Sequence, residues 1–242
     1  MARARLQAFL AGDPPEHPAR PIDRRTVGLL GLRLPALAAA ALLLVSFLLL
    51  LQHNHDFLPR FGPVDPRSLR NQAIERCVLF LLVPLGLLLA LREDPRRYGL
   101  GLGDVRRGLI LLVVLSAVTL PVIVLVARLP EIRDWYAPSM STTGDVAISN
   151  GLDLLPTEFL IRGFLLFALL RAVGPIGVVI AIVPFAFTHI GKPDLEVFST
   201  LGGGLVFGWL NWRTGSIWYS GISHVMIQTT VIVAAAGWAV AA

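Results

Sequence analysis

Apolar runs separated by short polar intervals set the plan of this chain. The first spans about residues 34–51, the second about 77–91 around Pro84, and the third about 108–127 around Pro121. Four more follow closely, at about 146–170, 173–190, 195–212 and 217–241. Runs of this length read as membrane spans, which need about 20 predominantly apolar residues. The pattern predicts an all-α fold, a polytopic membrane helix bundle of about seven transmembrane helices. The last four runs are joined by Gly174-Pro175, Gly191-Lys192-Pro193 and Arg213-Thr214-Gly215. Turns that short make neighbouring helices antiparallel, as a shared internal site requires. Three parts result: a polar basic tail (1–33), three N-terminal helices with their loops (34–145) and a four-helix core (146–242). No internal repeat is visible. Gly204 and Gly208 share the small-xxx-small spacing that lets helices approach closely.

The polar intervals add orientation. Residues 1–26 carry Arg3, Arg5, Arg20, Arg24 and Arg25 around Pro14, Pro15, Pro18 and Pro21, without apolar periodicity. The first apolar run starts too late for a cleavable signal peptide and is expected to be an uncleaved anchor. Arg92, Arg96, Arg97, Arg106 and Arg107 form the densest basic segment. The positive-inside rule places it and the N-terminus in the cytoplasm, and the C-terminus outside after seven spans. Arg60, Arg67, Arg70 and Arg76, in the 52–76 interval, pull the other way. His53, His55 and Asp56 in that interval read as a solvated loop rather than a metal site, for want of a second ligand group.

Composition agrees. Of 242 residues, 55% are hydrophobic and 15% charged, against about 45–50% and 25% for a soluble domain. An integral membrane protein is expected, with a bacterial cytoplasmic membrane as its location and the lipid bilayer as a partner. The net charge of +5 bears on orientation, and no aromatic-interleaved basic groove points to nucleic acid. Cys77, the single cysteine, permits neither an internal disulfide nor a cysteine metal cage.

Ionisable groups inside these runs carry the candidate chemistry. Glu158 and Arg162 stand at i,i+4 within an apolar run, so they share a helix face and can pair. Charges at that depth normally face a bundle interior or a wet cavity. His189 closes the Phe185-Ala186-Phe187-Thr188-His189 stretch, and His224 and Gln228 stand one turn apart on the last run. Together these five residues lie on three of four neighbouring helices, a constellation suited to hydrolysis. A buried carboxylate can act as general base toward water, while imidazole and carboxamide N–H groups can stabilise an oxyanion. Alternatively, one Glu and two His make a zinc set with an open fourth position. The sequence leaves both arrangements open: no cofactor is certain, and zinc or another divalent metal is an option.

The same residues resemble the CAAX-protease and bacteriocin-processing family of intramembrane proteases, also called the Abi family. Its motifs, E-E-x-x-x-R, F-x-x-x-H and H-x-x-x-N, compare with Thr157-Glu158 to Arg162, Phe185 to His189 and His224 to Gln228. Arg162-Gly163-Phe164, Gly208-Trp209-Leu210 and Arg213-Thr214-Gly215-Ser216 also look like the family's flanks, so the resemblance covers roughly residues 151–230. It implies a helical membrane bundle with a buried site. The implied activity is peptide-bond cleavage near the membrane, classically after a prenylated cysteine, on a membrane-associated peptide or protein substrate. This chain departs from the pattern twice. Thr157 replaces the carboxylate expected to activate water, and Gln228 replaces an asparagine, moving the amide by about 1 Å. Asp153 and Glu196 are the acidic residues able to stand in, and Glu196, opening the helix after His189, is the better placed. The leading expectation is an intramembrane (metallo)endopeptidase with Glu158, Arg162, His189, Glu196, His224 and Gln228 catalytic. A family member without proteolysis, acting as a binding or immunity scaffold, is the alternative. A transporter is the third reading, and no inverted repeat supports it.

Overall fold

A computed structural model describes residues 23–61, 66–136 and 143–237, which are predominantly helical. Strands β1 (Thr26–Leu29) and β2 (Leu32–Pro35) form an antiparallel hairpin pairing Thr26 with Pro35. The expected polar basic tail at 1–33 thus ends in a hairpin; residues 1–22 of that tail lie outside the described residues. Gly31, at φ +81°, allows the tight turn. The hairpin leads into helix α1 (Ala36–Asn54).

Helix α2 (Pro66–Arg76) continues through the π-helical Cys77–Leu82 into α3 (Val83–Ala90). Polar residues 66–76, expected as loop, are therefore helical. Long-range pairing explains it: Glu75 accepts from the Leu58 N–H at 2.6 Å and from Arg60 at 2.5 Å, while Arg76 donates to Asp153 at 2.6 Å. Arg60 also pairs with Asp56. Two of the arginines that oppose the expected orientation are thus matched locally by carboxylates.

Helix α4 (Val105–Val126) starts where the Asp104 side chain accepts the Arg107 N–H at 3.0 Å, an N-cap. The interval read as loop at 128–145 holds a short helix, α5 (Pro130–Tyr136). Helix α6 (Thr143–Glu158), the π-helical Phe159–Leu165 and α7 (Leu166–Val173) run on without a break to Gly174. Helices α8 (Ile176–Phe187), α9 (Asp194–Thr214) and α10 (Trp218–Ala235) complete the core.

Among the described residues three helices are long and apolar enough to cross a membrane: Ala36–Asn54, Arg67–Ala90 and Val105–Val126. On α4, Val113, Val114, Val118, Val122 and Leu125 are all exposed, a face that lipid rather than water would cover. The apolar helices make this a membrane protein, but the other expected spans do not stand out in this way. Helix α8, at 12 residues, is about 18 Å long against a hydrocarbon core of about 30 Å. Helix α9 carries Asp194, Glu196 and Arg213, and the last expected run extends past the described residues.

A central apolar cluster joins α1, α7 and α8 with the π-helical segments, through Phe80, Phe159, Leu165, Phe167, Leu169 and Val178 among others. Close backbone approach sets the remaining contacts. A Cβ on Gly208 would lie 2.9 Å from Val178, and one on Gly204 3.1 Å from Ile182, so both glycines let α9 settle against α8. On α4, a Cβ at Gly108 would fall 2.2 Å from the Tyr219 ring of α10. Gly108→Ala is accordingly expected to destabilise the fold by about 1–3 kcal/mol through overpacking, read as a lowered Tm in detergent.

Candidate active site

Glu158 is the last residue of α6, and Arg162 sits in the π-helical turn that follows. π-Helical turns inside α-helices occur frequently at functional sites. Glu158 is fully buried and Arg162 nearly so. The Glu158 Oε1 atom accepts from Arg162 Nη1 and, at 2.7 Å, from His224 Nδ1; Ser220 Oγ lies 3.2 Å from Oε2. The Arg162 guanidinium lies between two aromatic rings, 3.9 Å from the Phe185 centroid and 5.0 Å from that of Phe207. Cation–π attraction is strongest where water is excluded, which suits so buried an arginine.

His189 follows α8 and turns its Nδ1 back to the Phe185 carbonyl at 3.1 Å, with Thr188 Oγ1 at 3.0 Å. A carbonyl only accepts, so Nδ1 carries the proton and Nε2 keeps its lone pair. The same logic applies to His224, whose Nδ1–H points at the Glu158 carboxylate. The two imidazoles stack at 6.4 Å between centroids, inclined by 15°, and Phe185 packs edge-on against both. The structure thus brings Glu158, Arg162, His189 and His224 together.

Glu196 joins them from the first turn of α9, its Oε1 4.0 Å from His189 Nε2. Lys192 Nζ donates to the same oxygen at 2.6 Å, and the Tyr136 hydroxyl donates to Oε2 at 2.6 Å. Gln228, half-buried on α10, engages the Tyr136 hydroxyl. Burial, with the Glu196 carboxylate beside it, pushes the Tyr136 phenol well above its usual range, so it stays a neutral donor. Asp153, the other acidic stand-in, is placed elsewhere: its carboxylate is taken by Arg76. Thr157 is buried and donates back to the Asp153 carbonyl at 3.0 Å.

Residues 146–230 match the family model Rce1-like, described as type II CAAX prenyl endopeptidase Rce1-like. This segment is Rce1-like. The match spans every site residue from Glu158 to Gln228 and agrees with the resemblance to the CAAX-protease and bacteriocin-processing family. No curated protein and no solved structure matches the chain. An Rce1-like segment implies a protease of the intramembrane CAAX kind, and the match does not favour a non-proteolytic scaffold.

Three neighbours of the motif residues escaped the sequence. Lys192 stands four before Glu196, and Ser220 four before His224, so helical spacing could have found both. Tyr136 had no such signal, since it lies in a polar interval far from any motif.

The residues do not fit a His₂Glu metal centre built on Glu158. Its Oε1 already accepts two charge-assisted bonds and it has no exposed surface, while Arg162 places a positive charge beside it. Among the described residues no group of three or more His, Cys, Asp or Glu is disposed to hold an ion.

Proposed function

We propose that this protein is an intramembrane endopeptidase that hydrolyses a peptide bond in a membrane-associated substrate, with a prenylated peptide as the first candidate. Seven spans, with the 92–107 loop in the cytoplasm of a bacterial plasma membrane, remain the arrangement proposed. The observation that carries the chemistry is the 4.0 Å gap between His189 Nε2 and Glu196 Oε1. A water about 2.8 Å from each atom would subtend roughly 90° between them, an ordinary geometry for an accepted pair of hydrogen bonds.

In this reading Glu196 is the general base. Its side chain is 17% exposed, whereas that of Glu158 is 0% exposed. A carboxylate accepts at about four lone-pair positions, so Glu196 keeps capacity after Lys192 and Tyr136 are served. Glu158 acts instead on His224, fixing its tautomer and leaving Nε2 as the ring's available atom. That differs from an assignment in which Glu158 itself activates the water. Arg162 keeps Glu158 ionised and in place.

The steps follow general acid–base logic. Water loses a proton to Glu196 as its oxygen attacks the scissile carbonyl. In this reading Lys192, against Glu196 Oε1, and Gln228, beside Tyr136, supply N–H donors to the developing oxyanion. The protonated Glu196 then returns the proton to the departing amine.

The test is cleavage of a farnesylated CaaX peptide, with its unprenylated counterpart as control, by the purified full chain in detergent. Glu196→Gln is expected to lower kcat by about 10²–10⁴-fold, and Thr157→Val to leave it nearly unchanged. A wild-type protein that cleaves neither peptide, nor a library of membrane peptides, would remove the endopeptidase reading.

A further inference from the structure

We propose that Tyr136 is a positioning residue for the reaction, aiming the Glu196 carboxylate at the water beside His189. The proposal deepens the endopeptidase reading and rests on it. Glu196 has three rotatable side-chain bonds and sits on an exposed first helical turn, so its own backbone does not fix its direction. Two anchors do. Lys192 Nζ holds Oε1 at 2.6 Å and the Tyr136 hydroxyl holds Oε2 at 2.6 Å, which leaves Oε1 turned toward His189 Nε2. Lys192 is one turn from Glu196 on the same segment and moves with it. Tyr136 comes from a different part of the chain and supplies the outside reference.

Tyr136 is itself held firmly. It and Ile132 occupy one face of α5 and are buried in a second apolar cluster with Val146, Val231, Ile232 and Ala235. Lys192 Nζ, 3.4 Å away, and Gln228 also engage the hydroxyl. A rigid ring with a satisfied hydroxyl loses little freedom on making the bond to Glu196. Placement on a packed helix gives the carboxylate the fixed geometry that catalysis needs, where a misplacement of about 1 Å costs on the order of 10²-fold.

The experiment uses the full chain in detergent and the farnesylated peptide. Tyr136→Phe, which keeps the ring, is expected to lower kcat by about 10- to 100-fold with KM held within about twofold. In a Glu196→Gln background the same change should add no further loss, because Tyr136 acts through the carboxylate. Ile132→Ala loosens the same helix without touching the hydroxyl, and is expected to lower Tm while keeping most of kcat.

An unchanged kcat in Tyr136→Phe overturns the proposal. So do multiplicative losses in the double variant, or an Ile132→Ala loss as large as that of Tyr136→Phe. A non-additive Tm cycle between Tyr136→Phe and Glu196→Gln, in a wild type that cleaves no peptide, leaves the contact in place. That result overturns the endopeptidase reading and the role of Tyr136 together. Wild-type cleavage with an indifferent Tyr136→Phe overturns the role alone.

Discussion

Arg162→Met is expected to abolish cleavage and to lower stability by about 3–5 kcal/mol, the cost of leaving a buried charge without its partner. Glu158 has no exposed surface, so water cannot replace the guanidinium. His224 cannot replace it either, because its single Nδ1–H already points at Oε1. A methionine keeps much of the contact with Phe185 and Phe207, so lost packing contributes less than the stranded carboxylate. The double variant Glu158→Gln/Arg162→Met separates the two effects. Glutamine still offers a carbonyl oxygen to His224 but carries no charge, and the neutral pair should recover most of the lost Tm. Activity should stay low, because a neutral amide supports His224 less strongly than a carboxylate does. Thermal unfolding in detergent and turnover of the farnesylated peptide read the two quantities separately. If Arg162→Met melts like the wild type, the pair is hydrated and the buried-charge account is wrong.

Much of this site was legible because helical spacing is local. Glu158 with Arg162, Phe185 with His189 and His224 with Gln228 each repeat the i,i+4 interval that puts two side chains on one helix face. Polar residues in apolar runs are conspicuous, and short Gly- and Pro-containing turns force the four core segments to be neighbours. What escaped depends on contacts across the chain. Tyr136 reaches Glu196 across a sequence separation of 60, and the helix that carries it is only seven residues long. The helix at 66–76 read as loop because its mean character is polar, and its support comes from Leu58, Arg60 and Asp153. The surroundings of the two glutamates were hidden for a related reason. Spacing showed that Arg162 could hold Glu158, but not that His224 would close over the same oxygen. Burial, which decides which acid meets water, is a property of the folded core.

Moving the carboxylate back to position 157 should rescue the loss of Glu196. Thr157→Glu in a Glu196→Gln background is expected to regain at least about tenfold in kcat over Glu196→Gln alone, a part of the 10²–10⁴-fold that a general base supplies. Charge balance favours this combination over Thr157→Glu by itself. In the wild type Arg162 and Lys192 face Glu158 and Glu196, one cation to each carboxylate. A third carboxylate would be buried beside Glu158 without a cation of its own, and like charges so placed resist ionising together. Neutralising residue 196 releases Lys192 and restores the count. Replacing the Thr157 hydroxyl also strands no partner on another helix, since it is satisfied within its own helix by the Asp153 carbonyl. Thr157→Glu alone should therefore lower Tm more than the combined variant does. Rescue would identify the site as a proteolytic one whose water-activating acid stands on α9 instead of α6. A combined variant that folds with wild-type Tm and gains nothing would mean that position 157 does not reach the reacting water. Undiminished activity in Glu196→Gln itself would remove Glu196 from the mechanism.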